Sequence, residues 1–484
     1  MQKKFASNLF ILLFANLLVK PFWIFGVDRV VQNRVGVEAY GSYFALFNLS
    51  MLFSIVLDFG INNFNNRAIA RHPARLSAYL PNLLLIKLGL AVVYIVVASI
   101  VAFISGYQSV QVKLLLVLAF NQVVLSHILY LRSNLTALHH FKLDSFISIL
   151  DRLLAIVICG VLLYSTLVPI ATFRLHYFIL AQSAALLLTA LVAFIALKGK
   201  TTIVLSWWRW RFVRAILARS LPFAMLGLLM TIYYRIDAIM LERMYSASET
   251  GIYAKAYRLL DAINQFGYLF GIPLLPLFAT MLRRRESIHE LLKFSAVLMF
   301  LFATSAAILC SFFGSQIMSL LYPDADQYSM RIFSLLMISF IPISSVYIFG
   351  TLLTANGSLL ILNCIAVGGI LINVILNLLW IPAYGALGTT LATLFTQLVV
   401  AGLHIMVANR SFEIKWEISL LLRLGAFVLG AVGISWLITH IHGSWFIKMT
   451  ADGLAILGLI FALQLITLKE LRSIWGGSSE ISKY

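Results

Sequence analysis

Residues 80–104 read LPNLLLIKLGLAVVYIVVASIVAFI, a run interrupted by a single charge, Lys87. About 20 apolar residues in a helix cross the hydrocarbon core of a bilayer. This run is long enough to do so, and the same pattern recurs along all 484 residues. The chain is 62% hydrophobic and 11% charged, with a mean hydropathy of +0.97, whereas soluble domains are typically about a quarter charged. No water-soluble core covers that much apolar surface. The fold class expected is an all-α polytopic membrane protein.

Counting runs of span length gives fourteen, at roughly 6–27, 40–64, 80–104, 112–132, 145–165, 171–197, 217–241, 250–281, 289–313, 331–353, 359–380, 385–408, 418–439 and 449–468. The N-terminus, MQKKFASNLFILLFANLLVKPFW, has the charged start of a signal peptide. It lacks a small-x-small cleavage site and is read as a retained first span. Lys3, Lys4, Arg67, Arg71, Arg75 and Arg283–Arg285 are among 23 loop cations on one side, against seven on the other, including Arg29, Arg34, Arg243 and Lys448. That asymmetry places both termini in the cytoplasm. The net charge of +18 is scattered in short clusters between spans, so it marks orientation and not a nucleic-acid surface. Cys159, Cys310 and Cys364 lie inside apolar runs and offer neither a disulfide framework nor a CxxC pair. They read as small buried hydrophobes.

The longest polar connection, about 198–219, contains SWWRWRFVRAILARS, whose tryptophans and arginines suit a membrane interface. It divides the chain near its middle. GVEAYGSY (36–43) and ASETGIY (247–253) each place glutamate, glycine and tyrosine at the entrance of a span, with Gly41 and Gly251 210 positions apart. An offset of six spans preserves orientation, which is the signature of parallel repeats with a site between them.

Six cations remain within spans: Lys20, Lys87, Arg152, Arg235, Lys255 and Arg258. Asp58, Asp151, Asp237 and Asp261 accompany them. Each intramembrane cation costs about 2.5–3.5 kcal/mol on insertion scales, so such residues face protein or water. Lys255, Arg258 and Asp261 recur every third residue, which marks one wet helix face. Arg235 and Asp237, two apart in IYYRIDAIML, cannot face each other and need separate partners. A water-filled, net-cationic cavity lined by spans one, seven and eight would attract an anionic head group, since the guanidinium fork matches phosphate. Tyr233, Tyr234, Tyr253 and Tyr257 would pack on sugar rings. The competing reading is a set of interhelical ion pairs with snorkelling at helix ends. Pro21, Pro222, Pro273 and Pro276 fall in the same spans, where proline can bend a helix.

LKGKT (197–201) lacks the first glycine of a phosphate-binding loop, Phe194 standing there. His139–His140 and His440/His442 have no carboxylate or cysteine company for a metal. No catalytic residue, cofactor or metal is expected.

Three stretches together resemble a known family. RVGVEAYGSYFALFNLSMLFSIVLDFGINNFNNRAIAR (34–71), RIDAIMLERMYSASETGIYAKAYRLLDAI (235–263) and NVILNLLWIPAYGALGTTLATLFTQ (373–397) are similar to the bacterial polysaccharide flippases. These are the O-antigen and capsule branch of the multidrug/oligosaccharidyl-lipid/polysaccharide exporter superfamily. The resemblance implies two six-helix bundles in a V, here 1–198 and 217–410 with a linker at 199–216. Two further helices and a tail follow at 411–484. It implies transfer of an undecaprenyl-pyrophosphate-linked oligosaccharide from the cytoplasmic to the periplasmic leaflet of the inner membrane, driven by a proton or sodium gradient. A polysaccharide polymerase and a chain-length regulator are the implied partners, and nucleic acid is not. Asp58, Asp237 and Asp261 are the candidates for sensing the driving ion. A lipid II flippase or a multidrug exporter of the same superfamily is the alternative. A membrane-embedded polymerase or ligase would need a larger outer loop than about 314–330.

Overall fold

The computed structural model describes residues 18, 19, 21–165, 173–198 and 210–466. Among them there is no strand. In chain order the helices are α1 (Arg29–Val35), entered from a π-helical turn at Trp23–Asp28, α2 (Val37–Leu52), α3 (Ile61–Arg71), α4 (Leu76–Ile104) and α5 (Ser109–Ala137). There follow α6 (Phe141–Tyr164), α7 (Leu175–Lys198), α8 (Trp210–Met244), α9 (Ala247–Arg284) and α10 (His289–Phe312). The last are α11 (Gly314–Leu321), α12 (Gln327–Ala355), α13 (Leu359–Phe412), α14 (Ile418–His440) and α15 (Trp445–Ala462). Ten of these are long and apolar enough to cross a membrane. One of the ten, α13, runs for 54 residues and is two helices joined at a kink, where Gly385 has φ 56° and ψ −130°. The runs 359–380 and 385–408 are those two halves. The protein is a multi-pass helical membrane protein, as its composition requires.

The run 40–64 is not one helix. α2 stops at Leu52, a 3₁₀ turn follows at Ser54–Leu57, and Phe59 and Gly60 take φ of 42° and 76°. A break inside a membrane strands backbone carbonyls that lipid cannot satisfy. Here Lys87 Nζ donates to the Leu57 carbonyl at 2.8 Å, and Ser126 Oγ donates to the same oxygen at 3.1 Å. Asp58 Oδ1 accepts from the Asn62 amide at 3.2 Å and caps α3. The one charge in the opening stretch therefore belongs to a helix break 30 residues upstream.

The chain divides into two compact units, Met1–Arg258 with Ala366–Thr389, and Leu259–Ile365 with Thr390–Tyr484. Within the first, the glycine echo is a contact. A Cβ on Gly41 would fall 1.8 Å from the Ala247 carbonyl oxygen, and one on Gly251 would fall 2.1 Å from that of Val37. Shifting both numbers of the first pair by 210, in opposite senses, generates the second. The two entrances thus cross as a two-fold pair at a distance only glycine permits. Gln32 Nε2 adds a hydrogen bond to the Gly251 carbonyl at 3.1 Å.

The same unit holds the turn of α13. Its Gly385 conformation suits a residue without a Cβ, and a Cβ on Gly388 would lie 2.3 Å from the Trp380 carbonyl oxygen. The freed amide of Ala386 donates to Glu249 Oε2 at 2.7 Å, a carboxylate at a helix N-terminus, where the dipole favours it.

In the second unit α10 packs along α12 and against α14 and α15. Phe427, Ala431, Ile456, Ile460 and Leu301 form part of its apolar core. α9 continues through Pro273 and Pro276 as helix. The loop 314–330 carries α11, and Asp326 caps α12 by accepting from the Ser329 amide at 2.8 Å. Cys159 is buried, but Cys364 is exposed, which corrects its reading as buried. A thiol is apolar enough to sit on a membrane protein's outer face.

Candidate functional site

Three groups of charged residues in the first unit hold most of the positions selected from the sequence. Lys87 and Asp58 form the first, with side-chain exposures of 0% and 27% and a separation of 3.4 Å. Both are fixed at the α2–α3 break.

Arg235 and Asp237 on α8 form the second group, and they diverge as their spacing requires. Arg235 Nη1 donates to Asn48 Oδ1 on α2 at 3.2 Å. Asp237, 4% exposed, accepts from Asn377 Nδ2 on the first half of α13 at 2.8 Å. Asn377 Nδ2 also donates to Asn373 Oδ1 at 3.1 Å. Asn373 and Asn377, one helical turn apart, bury an amide pair beside the carboxylate.

The third group centres on Arg258. Its Nε lies 2.9 Å from Asp28 Oδ2 and donates to Tyr40 Oη at 3.1 Å, while Tyr40 Oη donates to Asp28 Oδ2 at 2.6 Å. The guanidinium also stands over the rings of Phe44 and Phe47, 5.1 and 5.5 Å from their centroids. From Tyr40 a row of aromatic contacts runs through Tyr43 (5.4 Å) and Phe178 (5.6 Å) to Trp23 (5.6 Å). Arg152 lies over the Trp23 ring at 5.4 Å and reaches its neighbour Asp151 at 3.8 Å. Two of the sequence-selected arginines therefore stand at the two ends of one aromatic row.

Lys255, one turn before Arg258, is 2% exposed, so the helix face expected to be wet is packed in protein there. Asp261 is half-buried and belongs to the second unit. Lys20 lies outside the described residues. Arg243 clamps its neighbour Glu242, covers the Tyr107 ring at 4.0 Å and donates to the Ser105 carbonyl at 3.3 Å. Burial pushes the Tyr107 phenol up, so it stays neutral beneath the guanidinium. Among the described residues no group of three histidine, cysteine or acidic side chains could hold a metal.

Sequence reasoning missed Asp28, Asn48, Asn373, Asn377 and Asp452. Asp28 falls one residue past the first apolar run, and asparagines carry no charge to flag them. A better signal for Asp28 is the helical spacing to Gln32, which puts two polar groups on one face.

A model of the polysaccharide biosynthesis protein family matches residues 5–282, which hold all three charged groups except the Asn373–Asn377 pair. The chain belongs to that family. Among relatives of this family member, an uncharacterized membrane protein of Methanocaldococcus jannaschii is 28% identical over 185 residues, 38% of this chain and 43% of that protein. The chain thus matches less than half the length of that relative. Among solved structures, the lipid II flippase MurJ in an inward closed conformation shares 16% identity at a TM-score of 0.69, covering 96% of this chain and 99% of that one. An inward-facing multidrug resistance MATE family transporter of the MOP superfamily shares 13% at 0.63, covering 83% and 98%. At such identities the likeness is one of fold, and it bears out the all-α polytopic fold class implied by the three quoted stretches.

Proposed function

We propose that the protein is a flippase that carries an undecaprenyl-pyrophosphate-linked oligosaccharide, an O-antigen or similar repeat unit, from the cytoplasmic to the periplasmic leaflet. It works by alternating access between two six-helix lobes (1–198 and 217–410), without catalytic chemistry, and draws on a proton or sodium gradient. One observation carries the reading: the row Arg258–Tyr40–Tyr43–Phe178–Trp23–Arg152 lies within a polysaccharide-biosynthesis family member. Guanidinium forks suit a diphosphate, and the rings between them, buried against one another, hold the two arginines in place. Asp28 pairs with Arg258 through Nε, so a diphosphate binds there by displacing a carboxylate. Arg235, which donates to Asn48, is a second guanidinium for the head group. Asp237, in its amide pocket, is the candidate coupling carboxylate. A polysaccharide polymerase and chain-length regulator would act on the delivered unit.

The test is complementation in strains lacking one flippase each. Arg235→Ala should insert normally and abolish surface polysaccharide in an O-antigen flippase mutant. Wild-type polysaccharide levels in that variant would sink the cationic site. Rescue of lipid II flippase depletion, without rescue of O-antigen export, would reassign the cargo to the other diphosphate lipid.

A further inference from the structure

α14 and α15 meet along a narrow seam. The buried residues of α14 are Phe427, Ala431 and Ser435, and those of α15 are Asp452, Ile456 and Ile460. Both sets step by four, which draws one stripe along each helix. The helices follow each other through a four-residue link, so the stripes oppose in antiparallel order. Phe427, Ala431, Ile456 and Ile460 belong to one apolar cluster. Ser435 stands beside Asp452.

That last layer is out of keeping with the seam. Asp452 and Ser435 are each 0% exposed, and neither carboxylate oxygen of Asp452 nor the Ser435 hydroxyl has a hydrogen-bond partner. The charged and titratable groups of the surrounding helices are engaged elsewhere or lie toward the helix ends. On α15, Lys448 donates to the Thr439 carbonyl at 3.1 Å. On α14, His440 bonds the Trp436 carbonyl at 2.7 Å, and Arg423 lies three turns from Ser435. On α10, Lys293 pairs with Glu417 at 3.3 Å, His289 bonds the Phe412 carbonyl, Glu290 sits in the first turn, and Cys310 is the remaining titratable group.

An ionised carboxylate with only one neutral hydroxyl beside it, on a helix otherwise facing hydrocarbon, is strongly disfavoured. A protonated carboxyl is not: it loses the charge and gains an O–H that the Ser435 oxygen can accept. We propose that Asp452 is a proton-binding site, occupied in this state with the proton donated toward Ser435, and emptied when the seam admits water during the cycle. The release step rests on the transport reading, whereas occupancy does not.

The probe is dicyclohexylcarbodiimide, an apolar reagent. The acid's oxygen bonds to its central carbon while the acid's proton passes to its nitrogen. Full-length protein in lipid vesicles is treated and mapped by peptide mass spectrometry. Asp452 should be labelled near neutral pH, and labelling should fall about tenfold per pH unit above its titration midpoint. Asp452→Asn should abolish labelling at that peptide. No label on Asp452 in folded protein overturns occupancy. Protection by sodium at constant pH overturns it too, by assigning the carboxylate to a metal cation.

For release, Asp452→Asn should transport at a rate that responds less to an imposed pH gradient than wild type, the remainder being carried by Asp237, while Asp452→Glu keeps the full response. A wild-type response in Asp452→Asn overturns release. Failure of the wild-type protein to transport would count against the function reading alone, and labelling would still decide occupancy.

Discussion

At the scale of single residues, a charge inside a membrane helix is answered by whatever its neighbours can offer, and the offers differ in kind. Arg258 meets a carboxylate, Arg235 an amide, and Lys87 a broken helix. The last is the least replaceable. Lys87→Met leaves the Leu57 carbonyl one donor short and Asp58 without its cation. Breaking a buried pair of this sort costs on the order of 3 kcal/mol, so the solubilised variant should melt well below wild type. Adding Asp58→Asn removes the stranded charge and should restore part of the loss. If Lys87→Met melts like wild type, the lysine is free to serve substrate, contrary to its 0% exposure. The sequence made the divergence of Arg235 and Asp237 legible, because helical spacing alone forbids their contact. It did not make the partners legible. Asn48 and Asn377 are neutral residues 187 and 140 positions away, and no local rule links such distances.

At the scale of elements, spans were readable from hydropathy because lipid solvates them one at a time, and helix ends deviate where packing intervenes. The 40–64 run is the clearest failure. Its hydropathy is continuous, but Gly60 and the Lys87–Ser126 donors make a break affordable there. The Gly41–Gly251 echo is the converse, a faint sequence signal that marks a tight contact between α2 and α9. Because each glycine faces backbone and not a flexible side-chain tip, no rotamer change can absorb a methyl group. Gly41→Ala and Gly251→Ala should each destabilise by about 1–3 kcal/mol, the usual cost of overpacking, and by similar amounts because the contact is two-fold. Gly89→Ala, where nothing lies within 4 Å of the added Cβ, is the control and should melt at or slightly above wild type. Unequal effects at positions 41 and 251, with one near zero, would show that the pairing is not symmetric.

At the scale of the whole molecule, the proposed direction of transport requires a fixed orientation, and the loop cations predict one. Of the 36 lysines and arginines, 23 fall on one side and seven on the other. A reversed topology would carry the larger set across the membrane against the positive-inside bias. Two loops of the second unit make the orientation measurable. Ser287, between α9 and α10, and Asp324, between α11 and α12, are both exposed and follow an even and an odd span of the fourteen. In a background with Cys159, Cys310 and Cys364 replaced, Asp324→Cys in intact cells should react with a membrane-impermeant maleimide. Ser287→Cys should react only after the membrane is opened. Two further outcomes carry distinct meanings. The opposite pattern would invert the protein and, with it, the leaflet from which a diphosphate lipid could be loaded. Reaction of both from outside would mean that the span between them does not cross, which the continuous helix α10 makes the harder result to reconcile. An orientation with Ser287 inside places the Arg283–Arg285 cluster against the anionic cytoplasmic leaflet, where each cation gains about 1 kcal/mol from the surface potential. The same loop cations that predict the topology would then hold the inner end of α9 at the surface from which, on the proposed function, the cargo enters.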